Sequence, residues 1–228
     1  MILAAGADDL LSRPLVLVVA LAIVSLLPFV FMTVTAFVKI ATVLQIVRSA
    51  IGAQSIPSNS VVMALATALT LIAMAPVGER IAAKLSPLLA GGSKEAPDTV
   101  VLVEKGIDAV REPMREFLSS NTSEGERARF LDVARNVRAG DERDRVGGSD
   151  LTVLVPAFVV TELTEAFSIG FLVFLPFLVI DLVVSNVLLA LGMQMMSPTQ
   201  VSLPFKLLLF VAIDGWGLLA RSLVSGYH

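Results

Sequence analysis

The sequence predicts an all-α fold of the membrane type, with kinked helical hairpins in two apolar halves and a charged helical insertion between them. Three observations predict it. Of 228 residues, 56% are hydrophobic and 16% charged, where a soluble domain holds about a quarter charged. Two runs, 14–38 and 49–78, carry no charge at all, and each exceeds the roughly 20 residues a helix needs to cross a bilayer. The charged middle keeps its apolar residues at helical spacing. Three regions follow: apolar helices over 1–78, a water-facing helical segment over 79–150, and apolar helices over 151–228.

Taken in order, the first run begins after Asp8 and Asp9, where a secretory signal peptide would carry Lys or Arg. It therefore reads as a retained helix, with Pro28 expected to kink or break it. In the second run, "GAQSIPSN" reads as a turn with a cap at Ser58 or Asn59. The helix behind it is expected over Ser60 to Ala75, closed by Pro76. From Glu79 to Asp150 twelve Lys/Arg and fourteen Asp/Glu crowd together, against five and six in the rest of the chain. Helices are expected over Thr99–Ser120 and Gly125–Val137. The first carries an apolar stripe of Leu102, Ile107, Val110, Met114, Phe117 and Leu118, and Leu89–Pro97 and Arg138–Asp150 read as linkers.

The last region is apolar but interrupted by Glu162, Glu165, Asp181, Lys206 and Asp214, and cut by Pro156, Pro176, Pro198 and Pro204. A charge facing lipid costs about 2.5–3.5 kcal/mol on insertion scales. These charges must pair, face water or be covered by protein, which predicts an oligomer whose helices are buried by neighbours.

Composition excludes several chemistries. There is no cysteine, and the single histidine is His228, so thiolate, disulfide and imidazole mechanisms have no basis. A net charge of −3 argues against nucleic acid as a partner. No phosphate-cradling loop, metal-ligand spacing or nucleophile elbow is present, so no catalytic residue, metal or cofactor is assigned. Asp181 and Asp214 invite comparison with an intramembrane aspartyl dyad, but "VAIDGWG" lacks the expected glycine-rich context, and structural roles fit both better. Glu162 and Glu165, at i and i+3, share a helix face, with Lys206 and Lys39 as the embedded cations. Static pairing is favoured, while the surplus of acids leaves a proton or cation relay open. Phe167, Phe171, Phe174 and Phe177 form an aromatic packing stripe, and Gly170 permits close helix approach. Met193, Met195 and Met196, with Gln194 between them, fall where a helix gives way to a turn. Methionine is an adaptable filler, yet between Gly192 and Pro198 there is little core to fill. Repeated around an axis, such a loop would make a compliant ring that closes a pore by dewetting.

Two blocks, Leu27–Val77 ("LPFVFMTVTAFVKIATVLQIVRSAIGAQ…MAPV") and Val155–Leu219 ("VPAFVVTELTEAFSIGFLVFLPFLVIDLVV…AIDGWGLL"), resemble the export-gate subunit of type III secretion systems, called SctR in injectisomes and FliP in flagella. "AFVKI" looks more like the injectisome branch. The resemblance implies five copies assembled with two small membrane proteins, the S and T subunits, into a funnel-shaped gate. The secretion-system base rings would hold it largely on the periplasmic side of the bacterial inner membrane, to pass unfolded substrate proteins. It further implies that Met193, Gln194 and Met195, with Met196 adjoining, form a pore gasket, Gln194 standing where relatives often carry Met. Glu162 and Lys206 would form an inter-subunit ion pair, and Glu165, Asp181 and Asp214 would be buried structural acids. A small oligomeric ion channel or transporter using the acidic groups is the alternative, and a scaffold without a pore-lining role a third.

Overall fold

The uncharged runs are largely helical, and the sharpest break falls where a side chain competes with the backbone. The computed structural model describes residues 14–53, 56–90 and 99–227. Asp8, Asp9, most of the Leu89–Pro97 linker and His228 lie outside them, as does the Leu102 side chain. Helices α1 (Pro14–Val34) and α2 (Phe37–Ile51) come first. They are followed by α3 (Asn59–Ala90), α4 (Thr99–Ser120), α5 (Glu124–Asn136) and the short α6 (Glu142–Arg145). The apolar end contains α7 (Leu151–Ala190), α8 (Pro198–Ala212) and α9 (Gly215–Ser225). No strand occurs among the described residues.

Pro28 does not break α1; the chain turns later, by 72°, between Val34 and Phe37. Thr35 explains the position. Its hydroxyl donates to the Phe31 carbonyl at 2.6 Å and accepts from the Phe37 N–H at 3.4 Å, satisfying backbone groups on both sides of the break. Helix α2 then buries Phe37, Ile40, Val43, Leu44, Val47 and Ile51. It ends at Gly52, whose φ of +80° supplies the left-handed cap that a side chain would resist.

Helix α3 is longer than expected. Ser58 caps its start through the Val61 N–H, but Pro76 does not close it, and it continues through Pro87 to Ala90. Pro156 and Pro176 likewise lie inside the 40-residue α7 rather than segmenting it. Each proline removes one ladder hydrogen bond, and the bonds that remain around it carry the helix through. Between α7 and α8, Pro198 takes the first helical position, where a missing N–H costs nothing.

The main core joins α2, α3, α7, α8 and α9. Helices α2 and α7 approach closely at Gly170, where an added Cβ would sit 2.5 Å from Ile46 Cδ1. The aromatic stripe divides: Phe177 is buried and Phe174 packs on the core, while Phe167 and Phe171 are exposed. A second core seats the charged insertion on α7 through Phe117, Leu118, Leu154 and Phe158. Ser123 caps α5 and also donates its N–H to Thr161 of α7. Further along the α4 stripe Met114 packs on this core, while Ile107 and Val110 are exposed. Among the described residues two helices, α3 and α7, are long and apolar enough to cross a membrane, or up to four spans if each bent pair counts as one.

Candidate functional site

Three features stand apart from the general packing: two ion clusters and one loop. The first cluster forms just beyond the α1–α2 break. Lys39 lies one turn into α2, and its Nζ reaches Glu162 Oε1 at 3.0 Å and Glu165 Oε2 at 2.7 Å. The i, i+3 spacing on α7 presents both carboxylates to one ammonium. Glu162 is fully buried and Lys39 nearly so, while Glu165 is half exposed. Tyr227 completes the site. Its hydroxyl donates to Glu162 and lies 3.3 Å from the Ala36 carbonyl at the bend. Its ring sits under Lys39 Nζ, 4.4 Å from the centroid, and stacks on Phe117. Burial, and then the Glu162 carboxylate, push the phenol above its ordinary range, so it remains a donor.

The second cluster ties α8 to α7 and α2. Lys206 Nζ meets Asp181 Oδ2 at 2.6 Å and the Ala50 carbonyl at 3.1 Å. Ser202 donates to Asp181 Oδ1 at 2.5 Å. One turn separates Ser202 from Lys206, so α8 brings both to the same acid.

Within the chain Glu162 and Lys206 therefore do not meet. Glu162 takes Lys39 and Tyr227, and Lys206 takes Asp181. Both residues are buried in the chain. The other acids differ from a uniformly buried set. Asp181 is half-buried, and Glu165 and Asp214 are largely exposed. Asp214 occupies the 57° bend between α8 and α9 with a left-handed φ of 52° and pairs with Arg221 at 3.1 Å. Asp181 and Asp214 each hold a cation of their own, an arrangement of two separate pairs rather than a shared-proton dyad.

The third feature is the α7–α8 loop. Helix α7 ends at Ala190, and Gly192, at φ +74°, turns the chain outward. Met193 keeps a bond to the Leu188 carbonyl, and Met196 bonds back to Met193, making a tight tip. All four residues of "MQMM" are exposed: Met193 by 42%, Met195 by 102% and Met196 by 45%, with Gln194 among them. The tip offers thioethers and one amide, groups suited to packing and to excluding water rather than to bond-making.

Sequence reasoning identified Lys39 as a cation but missed Tyr227 and Ser202. Tyr227 is the chain's only tyrosine, the one signal that could have marked it. Its partners are 65 and 191 residues away in sequence, beyond any local pattern.

These features define a class, an all-α membrane protein of bent helices stitched by buried ion pairs. A family model described as the FliP family matches residues 20–223, and the chain belongs to that family. It is 45% identical over 93% of its length to "Pathogenicity-related ORF2" of Xanthomonas campestris pv. glycines, of which 96% is covered. Over 92% of its length it is 43% identical to the Yop proteins translocation protein R of Yersinia pestis, with 95% of that protein covered. It is 37% identical to the flagellar biosynthetic protein FliP of Bacillus subtilis, over 95% of this chain and 93% of the relative.

Proposed function

We propose that this chain is a core subunit of a type III secretion export gate and that it lines the pore through which unfolded proteins cross the bacterial inner membrane. The single observation that carries this reading is the α7–α8 tip, where three methionines stand clear of any core at the end of a long apolar helix. Family membership supports it, as do relatives named for translocation and flagellar biosynthesis. Copies of the chain, five in number, would place Met193, Gln194, Met195 and Met196 on a common axis. There the thioethers keep the closed pore dry and yield when a chain pushes through. The S and T gate subunits and the base rings would complete the assembly and hold it toward the periplasm. Nothing in the tip drives transport, so energy comes from partner proteins.

Deleting residues 193–196 tests the seal. In liposomes holding the assembled complex, the deletion is expected to let small ions leak, and tight liposomes would sink the gating role. The alternative, an ion transporter, is favoured by one observation: Lys39 serves two carboxylates, and Glu165 opens that cluster to the surface. A monomer or dimer that moves ions without partners would decide for it.

A further inference from the structure

We propose that the methionine tip is a reversible oxidation site, at which a peroxide converts Met195, then Met193 and Met196, to the sulfoxide and so unseals the gate. The inference rests on the reading that this tip closes a pore. Its first support is contrast among the described methionines. In the single chain Met195 is fully exposed, and on the proposed axis it faces the lumen that a small peroxide enters, whereas Met63 and Met74 pack against the main core and Met114 against the second. The Met63 sulfur also accepts a hydrogen bond from Gln45 Nε2 at 3.4 Å, which engages one of its two lone pairs. Met32 is 41% exposed, close to Met193, but it sits on α1 among Phe31, Leu27 and Val24, a surface for lipid or protein rather than water.

The second support is the backbone. The tip is a turn outside the helices, with Gly192 carrying the left-handed φ, so an added oxygen meets no packed neighbour. The third is the sulfur inventory. With no cysteine in the chain, a peroxide response has no thiol to act through, and methionine is the only sulfur redox centre.

The chemistry balances. A lone pair on Sδ attacks one peroxide oxygen, the O–O bond breaks and an S=O bond forms. The sulfur loses two electrons, and the peroxide leaves as water. The product is polar and accepts hydrogen bonds, and a reductase restores the thioether. A ring that stayed dry because its lining was apolar then wets.

The test uses the assembled complex in liposomes, treated with dilute hydrogen peroxide and followed by peptide mass spectrometry and ion leak. Met195 is expected to oxidise at least about fivefold faster than Met63 or Met74, following exposure. Leak should rise in step and fall again after treatment with methionine sulfoxide reductases. In the triple variant Met193→Leu, Met195→Leu, Met196→Leu, peroxide should leave the leak where it stood before treatment. Equal oxidation of Met63 and Met195, sulfoxide formation without leak, or a peroxide-induced leak in the triple variant would each overturn the proposal. The 193–196 deletion separates the layers: if it leaks while the oxidised wild type does not, only the oxidation switch fails, and if it stays tight, the seal itself fails.

Discussion

The nearly buried Lys39 holds one buried carboxylate, one half-exposed carboxylate and an aromatic ring. Removing one partner of a buried pair costs about 3–5 kcal/mol, because the partner left behind remains charged and desolvated. Lys39→Ala is therefore expected to destabilise the chain by about that amount, with most of it traced to Glu162. Glu165, half exposed, is screened by solvent, and Glu165→Gln should cost less than about 1 kcal/mol. Tyr227→Phe leaves a Glu162 oxygen without its donor and should cost about 1–3 kcal/mol. Thermal unfolding in detergent, followed by loss of helical circular dichroism, would rank the three. A ranking with Glu165→Gln above Lys39→Ala would mean the burial argument is wrong. The residues of this cluster were legible one by one, as charges in apolar helices. Their pairing was not, because Lys39 and Glu162 are 123 positions apart and nearer cations looked equally available. The exposure of the methionine tip followed more directly, since Gly192 and Pro198 bracket it.

Among the elements, the α2–α7 contact is the most extensive. Gly170 admits Ile46 so closely that any larger side chain must displace it. Gly170→Leu is expected to cost about 1–3 kcal/mol by overpacking. Pairing it with Ile46→Ala should recover part of that loss, a coupling a double-mutant cycle would measure. Purely additive losses would place the clash elsewhere. Element boundaries were legible where a polar cap or a clear stripe marked them. Helix α4 spans the expected Thr99–Ser120, and α5 begins one residue before Gly125 behind the Ser123 cap. They were obscured wherever proline was taken as a stop. Pro28, Pro76, Pro156 and Pro176 all lie inside helices, while Thr35 sets the sharpest bend. One lost backbone bond is a weaker signal than a hydroxyl that substitutes for two.

At the scale of the molecule, the dominant fact is uncovered apolar surface. The most apolar stretch of α7 is only 11% buried by its own chain, and α1 exposes Val18, Leu21, Val24, Leu27 and Phe29. Surface of this kind does not stay in water. Purified without detergent, the chain is expected to aggregate. In detergent it should form a closed oligomer of several copies, counted by native mass spectrometry, and a stable monomer under all conditions would contradict that. The all-α architecture and the apolar halves were legible because hydropathy alone dictates them. What covers the apolar faces was not, since lipid and a neighbouring helix satisfy the same side chains.

Helix α7 also has the proportions of a lever. Forty residues make a rod about 60 Å long, twice the roughly 30 Å hydrocarbon core of a bilayer. Glu162 clamps it near one end and the methionine tip lies beyond the other, about 45 Å further along the axis at 1.5 Å per residue. Gly170 and Asp181 hold it at two further points, so the arm beyond the last of them is the nine residues up to Ala190, about 14 Å. Movement of the tip relative to these anchor points is therefore confined to that last stretch of helix and the turn beyond it.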